Sequence, residues 1–410
     1  MLYGSSKIEL KQLTAEDKRH LHHLSELSRD LYNLCTAEIC RHYEATNQIL
    51  DYAGLKQAVQ GSCEYQTITG FYYSVLVTAI ADFRKYISTD IYALNKDDRV
   101  LKAKNLDKFY PPKLKKELRP IEQLRVMIRD GCICFPKTKE TPELRFKLPE
   151  CYRDKDIRSA FIRPMHRESH WELTIQYPLN TYTHDLDYDK AVGIDLGMVN
   201  FATVVNSDTL DCFIIDGRRL KSLLQGYCKY LAKLRHLSGS YDTKRIASLR
   251  QKTYNRLNNF VGKATAYIIK YCIENKIGKV CLGWGEHFQG QKSLGINSQL
   301  FSLFPYARFK NSLQHQCQRH WIHFVLIDET YTSLASALDS DAMPEHVTRA
   351  AQQFSGKRVK RGLYLTGDGI KVNADENAAI NILRKGSVNI PKLREQHGRG
   401  LVSPDRVSVF

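Results

Sequence analysis

The order of short apolar runs after residue 190 leaves few folds open. Ala191–Leu196, Phe201–Val205 and Asp211–Ile215 have the length and residue types of buried strands, and only turn-length gaps separate them. Residues 218–279 then change to helical spacing, a long helical pair broken near Ser238-Gly239-Ser240. Lys279–Leu282 and His323–Ile327 are again short apolar strands, with a loop and a helix over Tyr306–Arg319 between them. A last helix covers Glu376–Arg384.

Three strands, helix, strand, helix, strand, helix is the element order of a ribonuclease-H-like domain, placed here at 191–386 with 218–279 as a helical insertion. The preceding residues read differently. Lys7–Leu13 alternates as a half-buried strand does, and helices are expected over Glu16–Asn47 and Ile68–Asn95. Residues 107–119 are a breaker region containing Pro111-Pro112. Ile121–Met127, Cys132–Phe135, Leu144–Leu148, Ala160–Met165 and Trp171–Tyr177 then read as strands, and Leu179–Lys190 as a linker. The fold class is thus a multidomain mixture of α+β and α/β: a β-barrel from 1–14 and 112–185, a helical insertion at 15–111, the ribonuclease-H-like domain, and a tail at 387–410 without pattern.

Charge narrows the partners. Lys and Arg number 61 against 44 Asp and Glu, a net charge of +17, and a chain this basic is suited to polyanions, nucleic acid first among them. The insertion concentrates the excess: 218–279 holds fifteen Lys or Arg against Asp242 and Glu274 alone. Within it Arg245, Lys252, Arg256 and Lys263 recur at helical spacing. A basic helix face is usually only solvated, but fifteen cations to two acids favours phosphate. Lys113, Lys115 and Lys116 after the proline pair, and Lys357, Arg358, Lys360 and Arg361 in a hairpin-like segment, are further phosphate candidates. No apolar stretch approaches the roughly 18 residues of a membrane span, and no signal-peptide profile is visible, so a cytoplasmic chain with no membrane partner is expected. The eleven cysteines are scattered without a CxxC pair and read as reduced core residues.

Two aspartates carry the chemistry. Val192-Gly193-Ile194-Asp195-Leu196-Gly197 places an acid at the end of a buried strand between two glycines. Alone, this fits a turn-capping aspartate, or the phosphate strand of actin-like ATPases, though no second glycine-rich phosphate loop follows. Asn373-Ala374-Asp375 opens a helix whose small residues, Ala378 and Ala379, permit close packing on a sheet. Alone, Asp375 fits an N-cap. Together the two suit phosphodiester hydrolysis with two Mg²⁺ ions, which needs carboxylates converging on metals about 4 Å apart.

Gly193-Ile194-Asp195-Leu196-Gly197, Tyr331-Thr332-Ser333 and Asn373-Ala374-Asp375-Glu376-Asn377-Ala378-Ala379 together resemble the TnpB proteins of insertion sequences, compact RNA-guided nucleases related to type V CRISPR effectors. Leu31-Tyr32-Asn33, Pro111-Pro112-Lys113 and Phe146-Lys147-Leu148-Pro149 extend the resemblance over most of the chain. It implies a wedge-type barrel, a helical recognition insertion and a RuvC-type domain. It also implies Mg²⁺ or Mn²⁺, a transposon-derived guide RNA, and a double-stranded DNA target with a short flanking motif; a monomer is expected. An RNA-guided DNA-binding repressor without cleavage, or a transposase with its own strand-transfer chemistry, are the rival readings.

The resemblance also implies a third acid, normally a glutamate at the end of the strand 279–283, where this chain has Gly283. Glu329, at the end of the next strand, is the favoured replacement, because strand ends on neighbouring strands lie about 5 Å apart. Glu286 is second, and Asp328 third because alternation points it to the other face. The expected catalytic and metal-holding set is Asp195, Glu329 and Asp375. Residues 334–372 contain no cysteine, and Ala335 and Ala337 stand where a zinc ribbon would begin. No structural zinc is expected.

Overall fold

The computed structural model describes residues 2–10, 13–68, 70–96, 112–123, 126–165, 170–241, 243–285, 297–344, 353–393 and 404–410. Glu286, second candidate for the third acid, lies outside them, as do residues 107–111 of the breaker region. The chain divides into two compact units, essentially Tyr3–Leu179 and Asn180–Phe410.

In the first unit a long helix, α1 (Ala15–Thr46), starts at Thr14, whose hydroxyl accepts from the Asp17 amide while Asp17 returns the bond. It ends where Asn47 turns left-handed. Two short helices that sequence patterning does not reveal, α2 (Tyr52–Val59) and α3 (Cys63–Thr67), precede α4 (Tyr72–Lys96). Strand β1 covers Tyr3–Glu9 rather than Lys7–Leu13. It starts earlier because Tyr3 already pairs with Pro178, and the ladder, not side-chain alternation, sets the register. The alternating segment Ile121–Met127 divides into β2 (Ile121–Gln123) and β3 (Met127–Arg129); β4 (Cys132–Phe135), β5 (Leu144–Lys147), β6 (Ser159–Met165) and β7 (His170–Pro178) follow. Among the described residues these strands make two sheets, ordered β1-β7-β6-β2 and β3-β4-β5. A single closed ladder is not formed by the described strands. One core, from Leu21 and Leu31 to Phe135 and Trp171, serves helices and strands alike.

The second unit is built on six strands ordered β12-β11-β8-β9-β10-β16. Strands β8 (Asp187–Leu196), β9 (Asn200–Asn206) and β10 (Cys212–Asp216) form an antiparallel meander. Strands β11 (Ile277–Gly283) and β12 (His323–Ile327) extend it in parallel beside β8. The end of the proposed linker is in fact strand: Asp187 pairs with Ile277, so β8 is ten residues long. Helices α5 (Arg218–Ser238), α6 (Lys244–Glu274), α7 (Asn297–Leu303) and α8 (Tyr306–Arg319) follow the meander and flank β11 in the chain. Val192, Ile194, Val280 and Leu282 share a core with residues of α5, α6 and α8. The opposite parity, Ala191, Cys281 and Ile327, shares a core with α9 (Ala374–Lys385). Residues Lys357–Arg361 begin a small three-stranded sheet of β13 (Lys357–Lys360), β14 (Leu363–Leu365) and β15 (Lys371–Asn373).

The tail is not patternless. Asp405–Val407 forms β16, paired in parallel with β10, and a three-residue strand is too short for periodicity to reveal. Not every cysteine belongs to the core: Cys63 and Cys151 are exposed, though all eleven are free thiols.

Candidate active site

The glycine at 193 decides how α9 meets the sheet. A Cβ there would fall against the Ala379 carbonyl oxygen and lie 2.7 Å from Leu383 Cγ, so the helix rests on bare backbone. Ala378 and Ala379 are buried at the same contact. Asp195, two residues on, shares the parity of Gly193 and so faces α9. Asn373 caps that helix by accepting from the Asp375 and Glu376 amides. Asp375 is therefore held at the first turn, on the side of the sheet where Asp195 points.

Glu329 fills the space that Gly283 leaves. Gly283 adjoins Asp195 on β11, since Leu282 pairs with Ile194. A Cβ on Gly283 would lie 2.8 Å from Glu329 Oε1 and 3.1 Å from its Cγ. The acid thus reaches across from the end of β12 to the place a side chain on β11 would occupy. Its Oε1 is buried and without a hydrogen-bond partner, and an orphaned carboxylate oxygen is costly unless something cationic meets it. Asp328 is engaged instead by Lys385 Nζ at 3.3 Å.

The loop carrying Glu329 is tied to the helix carrying Asp375. Tyr331 takes a left-handed conformation, φ 67°, which lets Thr332 turn back so that its amide and hydroxyl both donate to the Glu329 carbonyl at 3.1 and 2.9 Å. From α9, the buried Asn381 donates to the carbonyls of Thr332 (3.0 Å) and Ala335 (2.7 Å). Asn377 donates to Ala335 and accepts from the Ala337 amide. The two asparagines therefore tie the loop that follows Glu329 to the helix that carries Asp375, with Ala335 and Ala337 at the contact.

The electrostatics follow from three acids in a confined space. Burial, then the charges of Glu329 and Asp375, push the Asp195 carboxyl well above its usual range, with Arg358 opposing. Burial, with Asp328 adding, raises Glu329 to about 7. Asp375 takes two contacts: the neutral Asn200 Nδ2 donates to one oxygen at 2.6 Å and the cationic Arg358 Nη2 to the other at 3.0 Å. Among the described residues no three Asp, Glu, His or Cys side chains already close into a metal cage. Arg358 holds Asp375. The donor set suits a hard cation: carboxylate oxygens only, each acid partly solvent-accessible. Glu376 turns inward, fully buried, and burial raises it to about 8.

A carboxyl raised in the folded state costs nothing while protonated in both states, and the cost grows as pH rises from its unfolded value through about 7. Glu329→Gln should therefore leave the metal-free melting temperature unchanged near pH 4 and raise it at pH 8. Equal shifts at both pH values in thermal unfolding would contradict the burial.

Of the basic candidates, Lys252, Arg256 and Lys263 are exposed along one face of α6. Arg245 is also exposed, but its guanidinium lies on the Tyr230 ring and donates to its hydroxyl at 2.6 Å. In the first unit Lys113, Lys115 and Lys116 are exposed on a strap pinned to α1, where Asn33 bonds both the amide and the carbonyl of Lys115. Lys357, Lys360 and Arg361 are exposed on the small sheet, and Arg358 alone of that group enters the acidic site. Sequence patterning missed Asn200, Asn377 and Asn381 as builders of the site; the asparagines in the 373–381 motif were the available signal.

The second unit is thus a ribonuclease-H-like sheet with acids at the end of its first strand, after an edge strand and at the start of the helix packed on it. Residues 174–284 match the OrfB_IS605 family model, described as a probable transposase. The CRISPR-associated endodeoxyribonuclease Cas12f1 of Sulfoacidibacillus thermotolerans is 25% identical over 230 residues, covering 53% of this chain and 50% of that protein. The chain thus spans about half the length of the curated relative it matches. A cryo-EM structure of a Cas12f1–sgRNA–target DNA complex shares the fold, with a TM-score of 0.55 and 12% identity over 90% of this chain and 83% of that one. Residues 174–284 are thus similar to the OrfB_IS605 family, and the chain shares its fold with a Cas12f1 protein.

Proposed function

We propose that this chain is an RNA-guided DNA endonuclease of a transposable element, cutting by metal-assisted hydrolysis. The observation that carries the reading is Glu329 Oε1, buried and without a hydrogen-bond partner, in the gap beside Asp195 that Gly283 leaves open. A chain that had lost its chemistry would have no reason to keep a carboxylate oxygen buried and unpaired against a second acid.

In this reading Asp195, Glu329 and Asp375 hold Mg²⁺ or Mn²⁺. When bound, the metals supply an activated water and charge for the leaving oxygen. The chain's own groups do the rest. Asp195 and Glu329 present the oxygens, Asn377 and Asn381 keep their spacing to Asp375, and Arg358 offers its guanidinium to phosphate once Asp375 has another partner. Residues 1–14 with 112–185 serve as the wedge and 15–111 as the recognition insertion, the chain acts as a cytoplasmic monomer, and no structural zinc is required. The similarity to one Cas12f1 and the fold shared with a Cas12f1 solved with sgRNA and target DNA support RNA and DNA as partners.

The test is cleavage of a plasmid bearing a sequence matched to the RNA that co-purifies with the chain. Wild type should linearise it in Mg²⁺ and Asp195→Asn should bind without cutting. Binding by wild type with no cutting would instead establish the guided repressor. Transposition from a donor plasmid without RNA would establish the transposase.

Lys252, Arg256 and Lys263 span about 17 Å of α6 at 1.5 Å per residue, a length that tracks several phosphates. Lys252→Ala with Arg256→Ala should weaken target or guide binding at every sequence alike. The slope of log affinity against log salt should fall by about 1 for each phosphate that the variant no longer neutralises. An unchanged slope in filter binding across a salt series would remove these residues from the interface.

A further inference from the structure

We propose that Arg406, on the strand that closes the far edge of the sheet, is a positioning residue that sets the Asp375 carboxylate through Asn200. The inference rests on the reading of Asp375 as a metal ligand and goes beyond it, since nothing in the acid set or its motifs points to residues 405–407.

The contacts form a line of five groups. Arg406 Nη2 donates to Asn200 Oδ1 at 2.8 Å, and Asn200 Nδ2 donates to Asp375 Oδ2 at 2.6 Å. Behind Arg406, its Nη1 reaches Asp216 Oδ1 at 3.3 Å, and Asp216 is itself forked by Arg218 at 2.8–3.0 Å. Asp216 is buried while Arg406 is exposed, so the line reaches from the protein surface to the acid.

The chemistry gives it direction. An amide has one accepting and one donating end. Arg406, which can only donate, claims the oxygen of Asn200 and so turns the NH₂ toward Asp375. Without Arg406 the amide is free to reverse, which would set its oxygen against the carboxylate. With Oδ2 of Asp375 fixed in this way, Oδ1 is the oxygen left to face Arg358 or a cation.

The strand is placed independently of this line. Arg406 pairs in register with Ile214 on β10, Val407 and Val409 join the core beneath α5 and α6, and the Phe410 ring lies 5.4 Å from that of Phe260. Replacing Arg406 therefore removes the guanidinium while leaving the strand's apolar anchors.

The test uses the full chain. Calorimetric titration with Mn²⁺ and single-turnover cleavage of a guide-matched plasmid are compared for wild type, Arg406→Ala, Arg406→Lys, Asn200→Ala and the Arg406→Ala/Asn200→Ala pair. Second partners of metal ligands typically contribute about 10–100-fold. Arg406→Ala should lose about that much in Mn²⁺ affinity and in the cleavage rate, with target affinity unchanged. Arg406→Lys should recover part of the loss, and the double variant should be no worse than Asn200→Ala. The relay is overturned if Arg406→Ala stays within twofold of wild type in both measurements, or if the two single losses multiply in the double variant. Should Asp195→Ala bind Mn²⁺ as wild type does, the metal-site reading itself fails, whatever Arg406 does.

Discussion

Glu329→Gln should remove cleavage while leaving guided target binding intact. An amide keeps the shape but not the charge, and charge stabilisation by a metal site is worth several kcal/mol, about a thousandfold or more at 1.4 kcal/mol per decade. The geometry makes a sharper version available. Gly283 and Glu329 compete for one space, so Gly283→Glu alone should also be inactive, its new Cβ only 2.8 Å from Glu329 Oε1. Moving the acid back, Gly283→Glu with Glu329→Gly, should restore measurable cutting, best with Ile382→Val because Ile382 Cδ1 lies 2.5 Å from the same point. Rates are read under single turnover with bound target measured separately. If Glu329→Gln cuts within threefold of wild type, the third acid lies elsewhere, and Glu286 becomes the first residue to replace.

The second large effect concerns stability. Gly193→Val would drive a branched side chain against the Ala379 carbonyl, a backbone atom that only moving α9 can relieve. Overpacking of this kind costs about 1–3 kcal/mol, and α9 also carries Asp375, Asn377 and Asn381. With about 2–4 °C of melting temperature per kcal/mol for a domain of this size, the second unit should melt roughly 2–12 °C lower. Cutting should fall further than stability predicts, because Asp375 shifts with the helix. Near-wild-type melting would mean that α9 does not rest on the Gly193 backbone. Gly226 on α5, which has open space around it, is the control: Gly226→Ala should be neutral or mildly stabilising.

Much of this site is legible from residue order. The strands from 191 to 215, the helical pair, the strand His323–Ile327 and the helix at Tyr306–Arg319 follow from periodicity alone, because each is long or apolar enough to declare its repeat. Asp195 and Asp375 are legible for a similar reason: each stands at an element end beside small residues, and small residues mark close backbone approach. Arg358 is legible only as a cation on a basic hairpin; that it reaches Asp375 depends on how the small sheet folds back. β1 starts outside its alternating segment, and β16, α2 and α3 leave no pattern of their own, because short elements are specified by partners distant in the chain rather than by their own repeat.

The amino-acid sequence alone determined the two acids set among small residues, the basic insertion between the strands and the absence of cysteine ligands near Ala335. Residue identity and spacing carry those facts without further help. The tertiary structure decided the rest. It turned Gly283 from a missing acid into a vacated space that Glu329 fills from the neighbouring strand. It made Asn377 and Asn381 a clamp between loop and helix, and it brought Arg406 to Asn200 across 206 residues of chain. Such contacts join residues far apart in sequence through the pairing of strands and the packing of one helix, and no local pattern encodes them.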